Sequence, residues 1–322
     1  GILGLTTLET SSVSMGDVYS ASTGILGLTT LETSSVSMGN ITDASGIHGM
    51  VSFTKSNMTM GNILAITQKS YGIYTITNSQ TGIATSDITI GNITGNSSIT
   101  SNGIYVGLST GDNVNTLTIE TQTNITIGNI QYGHGITCGV LSHLSNSNLT
   151  IGNITETGSY GFYAETSNAS TLTNLTNANI TLGDINTNNN NSHSGGGFIL
   201  THGIDSCTTC NFTLGNVTDS TGIRCTTISR LTETNITMGN ILSTTAVTTY
   251  GIRFTTNLND ITVNLSNITI GDITGSGDIA NINSCGIHLD DVHYSITYTN
   301  SNIKIQNINY GHGIFGATTL TT

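Results

Sequence analysis

The chain has 322 residues, six Lys and Arg against 18 Asp and Glu, and a formal net charge of -12. Pro and Trp are absent, only 7% of residues are charged, and Thr, Ser and Asn number 60, 35 and 37. This composition lacks the helix formers of a helical enzyme, the Pro and charge of a disordered chain, and the Lys/Arg cluster that would neutralise phosphates, so nucleic acid is excluded as a partner.

Residues 1–16 recur unchanged at 24–39. A chain that starts on Gly1 inside such a duplication reads as a fragment of a longer array. We expect 1–322 to be a single repetitive domain, with 1–23 its first repeat and 302–322 a last partial coil. No apolar run approaches the 18 residues of a spanning helix, so direct membrane insertion by these residues is not expected.

From residue 57 onward one phrase dominates: Asn-Ile-Thr-Ile-Gly-Asn-Ile and its relatives, at 57–63, 87–93, 124–130, 148–154, 179–185, 211–217, 235–241 and 267–273. Degenerate copies stand at 14–18, 37–41 and 302–308. Successive copies of its Gly, from Gly16 to Gly271, are 22 to 37 residues apart. A floor near 22–24 with variable additions describes a fixed unit that carries loops of different length. A second phrase, Gly-Ile or Gly-Phe, falls between successive copies, as at 72–73, 103–104, 135–136, 161–162, 222–223, 251–252, 286–287 and 313–314.

Inside the first phrase the apolar period is two. Ile125, Ile127 and Ile130 face one way, while Asn124, Thr126 and Asn129 face the other. That is strand periodicity in β-branched residues. Each unit buries its isoleucines only against the units before and after it, which is how a solenoid builds a core. The prediction is an all-β fold: a right-handed parallel β-helix solenoid of about 11 coils, with a core coil of 22–24 residues, two or three strands per coil and variable loop insertions. The absence of Pro agrees, because internal strands need every N–H. The Asn after the turn Gly, at Asn40, Asn62, Asn92, Asn129, Asn153, Asn216 and Asn240, is expected to form a buried structural ladder at one bend. Asp17, Asp184 and Asp272 replace it in three coils.

On these two phrases, over residues 14–314, the chain resembles the right-handed parallel β-helix superfamily. In texture it is similar to the passenger regions of bacterial autotransporters and adhesins. That resemblance implies a secreted or cell-surface, outer-membrane-associated protein with a structural or adhesive role and no catalysis or cofactor. Its loops would contact a host surface, a neighbouring cell or a glycan, and its coil ends would offer end-to-end association. A viral tail-fibre β-helix is an alternative.

A weaker resemblance is to polygalacturonase-type β-helices. Asp290-Asp291 is followed 21 residues later by His312 in Gly311-His312-Gly313, and Asp272 lies one coil earlier. This implies a second alternative, a glycoside hydrolase using Asp272, Asp290, Asp291 and His312, since glycoside hydrolysis needs paired carboxylates. A polysaccharide lyase would need instead a calcium-binding carboxylate cluster and a proton-abstracting Arg, for which Arg224 and Arg253 are the candidates. Against the hydrolase, Tyr132-Gly133-His134-Gly135-Ile136 nearly duplicates 310–314 with no carboxylate pair one coil ahead, so the phrase reads as a repeat element.

The remaining polar candidates are assigned structural roles. Arg224 and Arg253 follow equivalent Gly-Ile pairs and are expected to be an exposed stack. His48, His134, His202, His288 and His312 adjoin Gly-Ile phrases and are expected to face solvent. Cys207-x-x-Cys210 lacks the second ligand pair of a zinc site, so no metal is expected. Cys138, Cys225 and Cys285 are expected to act as small hydrophobes.

Overall fold

The structure, a computed structural model, describes every residue except 5–6, 51, 76–80, 108–115, 165–172, 189–194, 201–203, 227–229, 245–247, 256–260, 277–283, 291–293 and 322. The described residues form 46 strands and no helix. They fall into two compact units: Gly1–Gly152 with Gly161–Thr171, and Asn153–Tyr160 with Leu172–Thr322.

Each unit taken by itself is a parallel β-helix. A representative coil of the first unit runs Ser45–His48, Ser52–Thr54, Asn57–Met60 and Ile63–Leu64. Its counterpart in the second unit runs Thr221–Cys225, Arg230–Thr232, Asn235–Met238 and Ile241–Leu242. We refer to these as the first, second, third and fourth strands of a coil. Each pairs in parallel with the equivalent strand of the next coil, giving four sheets. The fold is therefore the all-β, right-handed parallel β-helix that the repeat predicts, with about eleven coils.

The coil has four strands, where the sequence suggested two or three. The Asn-Ile-Thr-Ile-Gly-Asn-Ile phrase holds two of them, bent at Gly-Asn, and the second of these is only two residues long. So short a strand carries no periodicity of its own.

Inward apolar residues stack in register along each sheet, and in the third and fourth sheets many of the partners are identical. In the first unit Ile88 pairs with Ile125 and Ile90 with Ile127, and in the second Ile236 pairs with Ile268. Ile125, Ile127, Ile151 and Ile270 are all at most 1% exposed. Complete burial of each such side chain contributes about 2 kcal/mol. Outward residues of the same strands, such as Asn124 and Thr126, are exposed.

The four corners differ in their tolerance of length. Third and fourth strands are always joined by two residues, and second and third strands by two, or by three between Glu120 and Asn124. The two corners that flank the first strand vary widely. The leading corner ranges from one residue (Gln131 to Gly133) to nine (Asn186 to Gly196), and the trailing corner from one (Cys138 to Val140) to nine (Val106 to Thr116).

Two ladders explain the constant corners. At Gly-Asn, the Asn62 amide N–H donates to Asn40 Oδ1 at 2.9 Å, Asn92 N–H to Asn62 Oδ1 at 2.8 Å, and Asn129 N–H to Asn92 Oδ1 at 2.9 Å. In the second unit Asn153 accepts from the Asp184 N–H, Asp184 from Asn216, Asn216 from Asn240, Asn240 from Asp272, and Asp272 from Asn307. Asp thus replaces Asn without loss, since only a side-chain oxygen is used. The glycine is required by close approach: a Cβ on Gly61 would lie 2.7 Å from Asn40 Oδ1 and 2.8 Å from the Gly39 carbonyl carbon. The ladder asparagines are exposed rather than buried. Their oxygens lie along the backbone of the next coil, so they bond the coils together without entering the core.

At the second-to-third corner a residue adopts left-handed φ, as at Thr33 (49°), Lys55 (48°) and Thr85 (52°). A buried Ser follows each one. Ser34 N–H donates to Ser56 Oγ and Ser56 N–H to Ser86 Oγ, both at 3.1 Å. In the second unit Thr234, Ser266 and Ser301 continue this column, and Cys210 occupies a place in it. That explains one half of the Cys207-x-x-Cys210 pair. All five cysteines are buried and free, and among the described residues no group of His, Cys, Asp or Glu is arranged to hold a metal ion.

Candidate functional site

The first strand departs from strict alternation, and that departure creates the surface of interest. In Tyr71-Gly72-Ile73-Tyr74, both central residues point inward. Ile73 is 2% exposed, and a Cβ on Gly72 would lie 2.5 Å from the Gly103 carbonyl oxygen and 2.9 Å from Ile63 Cδ1 in the core. Only glycine can occupy that place. The flanking residues are left side by side on the outer face, and the rings of Tyr71 and Tyr74 approach to 4.3 Å.

In the first unit this outer face is aromatic. Tyr74 pairs in register with His48 on one side and Tyr105 on the other. His48 meets Tyr74 edge to face at 4.8 Å, and Tyr74 stacks on Tyr105 at 5.4 Å. Tyr71, Tyr105 and Tyr163 line a cleft of about 180 Å³, with Lys69 and Thr100 contributed by the variable leading corners. Its polar lining is a connected set: Thr137 Oγ1 donates to Asn102 Oδ1 at 3.0 Å, and His134 Nδ1 lies 3.1 Å from Thr137 Oγ1. The threonine hydroxyl has one proton and gives it to Asn102, so the imidazole Nδ1 carries hydrogen toward Thr137. Asn102 is 3% exposed.

Burial, with Tyr74 and Tyr105 alongside, pushes the Tyr71 phenol up to about 12, and burial likewise raises Tyr74. These hydroxyls stay neutral across the physiological range, available as both donors and acceptors. Among the described residues that line the cleft there is no carboxylate.

In the second unit the same face is ionic. Arg253 Nε and one terminal guanidinium nitrogen each donate to an oxygen of Asp290 at 2.9 Å, a bidentate pair. The guanidinium carbon sits 4.8 Å over the Tyr250 ring, a cation–π contact. His288 Nδ1 lies 2.9 Å from Asp290 Oδ1, and its ring stacks on Phe315 at 5.1 Å. Burial raises the Asp290 carboxyl, but His288 and Arg253 more than offset this and hold it at about 2. Arg253 is thus 9% exposed and ion-paired, not half of the exposed pair expected, although it does stack in register on Arg224. His48, His134, His288 and His312 are all half-buried and in ring contacts rather than facing open solvent. His202 lies outside the described residues.

No family model, no curated protein and no solved structure matches the chain. The residues of the glycosidase alternative must therefore be weighed by their placement alone. Asp290 and His312 share the outer face of the first sheet, with His312 in register with Cys285 and 4.9 Å from Phe315. Asp272 is at the Gly-Asp corner between third and fourth strands, bonded to Asn307. The structure does not bring it to the face that carries Asp290. Asp291 lies outside the described residues. A general acid needs a raised carboxyl pKa, and Asp290 is shifted the other way by His288 and Arg253.

The sequence reading missed three features. The tyrosine cleft is foreshadowed only by Tyr at 71, 74 and 105 around two Gly-Ile phrases. The buried hydroxyl column is visible as a Ser or Thr immediately before the repeat Asn. The third is a row of exposed amides on the third sheet, where Asn148 Nδ2 donates to Asn124 Oδ1 at 2.6 Å and Asn235 Nδ2 to Asn211 Oδ1 at 3.0 Å.

Proposed function

We propose that the chain is the display region of a secreted or cell-surface protein, of the kind to which its repeat bears a resemblance, and that it acts by binding rather than by catalysis. The β-helix is the scaffold, and the outer face of the first sheet with its two bordering corners is the display surface. One observation carries this reading: length variation is confined to the corners on either side of the first strand, while the other two stay at two or three residues. Variation on one face of a constant frame is how a scaffold presents a recognition surface. The ligand-sized cleft with convergent polar groups lies on that same face. The test is antibody labelling of intact, unpermeabilised source cells together with their culture medium. Surface or medium signal is expected, and confinement of the chain to the cell interior would overturn the reading.

A further inference from the structure

We propose that the tyrosine cleft of the first unit binds a neutral hexopyranose oligosaccharide, seating one sugar ring in the cleft while the rest of the glycan runs over the open first-sheet face. The inference names a ligand class for the display surface and so rests on that reading.

Three observations carry it. The first is concentration of rings: in a chain that is only 5% aromatic, Tyr71, Tyr74, Tyr105 and Tyr163 gather on one face. The C–H face of a pyranose packs on such rings, and their phenol hydroxyls meet sugar hydroxyls at the edge. The second is the floor. Asn102, Thr137 and His134 form a prealigned hydrogen-bonded set beside the rings, the few convergent polar groups that orient a polyhydroxylated ligand. The third is size: about 180 Å³ is the volume of roughly six waters, enough for one ring rather than a whole oligomer.

Charge and polarity select among the candidates. A uronate polymer or a phosphorylated ligand would meet a chain of net charge -12, with Lys69 as the one cationic side chain among the described lining residues besides an ionisable histidine. An acyl chain would leave the phenol hydroxyls that line the cleft facing hydrocarbon. A proline-rich peptide also docks on aromatic grooves, but its pyrrolidine rings offer few partners for the Asn102–Thr137–His134 set.

The experiment is saturation-transfer NMR and calorimetric titration of the whole chain with cellohexaose, chitohexaose and mannohexaose, alongside hexagalacturonate and a decaproline peptide. Saturable binding of at least one neutral hexasaccharide is expected, with tyrosine ring resonances perturbed. Tyr105→Ala and Tyr163→Ala are each expected to weaken it roughly tenfold. Tyr105→Phe, which keeps the ring, is expected to lose less. Thr126→Ala on the third sheet is expected to change nothing, and circular dichroism of each variant checks that it folds. The proposal is overturned if no neutral hexasaccharide binds, if binding ignores both tyrosine variants, or if only hexagalacturonate or decaproline binds. Surface labelling is a separate readout. Labelled cells with no sugar binding would remove the cleft assignment alone, and sugar binding by a strictly intracellular chain would remove the display assignment alone.

Discussion

The outer face of the first sheet is built by one rule in both units and filled in opposite ways. Gly72 and Gly251 each leave no room for a Cβ, with the next coil's carbonyl oxygen at 2.5 and 2.6 Å respectively. Each also has an outward residue on either side, Tyr71 and Tyr74 in one unit and Tyr250 and Arg253 in the other. The first face is neutral, aromatic and hollow, whereas the second is closed on itself by the Arg253–Asp290 pair and its covering rings. The contrast shows that the scaffold fixes where outward side chains stand and leaves their identity open. Packing constrains the inward side, and function or local charge balance sets the outward one.

That comparison can be broken first at its shared element. Gly72→Val and Gly251→Val place a branched side chain against backbone and core. Each is expected to cost about 3 kcal/mol or to prevent folding of its own unit. Hydrogen exchange resolved by segment measures this. Loss in only one unit would mean that the glycine rule is not common to both.

The ionic face is next. Arg253→Met removes one partner of the pair and is expected to cost about 2 kcal/mol. This is below the range for fully buried pairs because the Asp290 side chain is 25% exposed. The loss should be confined to the second unit, and unchanged urea-unfolding midpoints would show that the pair contributes nothing. The pair should also fail in acid. Asp290 is held at about 2 against an ordinary value of 3.8, so its contribution is present above pH 4 and is lost as pH falls through 2. Asp43 in the first unit behaves similarly for a different reason. Burial raises its carboxyl, but Thr67 Oγ1 and the N–H groups of residues 66–68 donate to it and hold it at about 2. Asp290→Asn should therefore flatten the acid response of the second unit and leave that of the first intact, as followed by near-ultraviolet circular dichroism and exchange between pH 4 and 2.

The smallest effect is expected on the aromatic face. Tyr105→Ala removes one half-buried ring with its contacts to Tyr71 and Tyr74 and should change stability by about 1 kcal/mol, since Ile104 beneath it keeps its place in the core. A larger loss in thermal unfolding would make the tyrosine row part of the fold's support rather than an exposed binding surface.

The sequence revealed the fold wherever two backbones come too close for choice. Gly61 and Asn40 must be what they are because one touches the other across a coil, and that requirement returns at every Gly-Asn corner as near-literal repetition. The inward isoleucines are legible for the same reason. What stayed hidden is whatever the coil-to-coil contact leaves free. The outward column Leu26, His48, Tyr74, Tyr105 and Thr137 has no pattern, because each residue faces away from the contacts that enforce likeness. Histidines that look like solvent-facing repeat residues turn out to be members of ring clusters. Arg253 appears to match Arg224, yet its partner Asp290 lies 37 residues further on and becomes its neighbour only once the coil closes.

Residues 1–16 and 24–39 are identical, and the structure pairs their strands in register, with Ile2 on Ile25, Leu8 on Leu31 and Val13 on Val36. The 23-residue offset in the gene is the same as the 23-residue register in the sheet. Copying one such block in frame therefore adds a finished rung with both seams already matched, and deleting one closes without a scar. A coding sequence of this kind can lengthen or shorten by unequal exchange one coil at a time, so its span is open to change in whole steps.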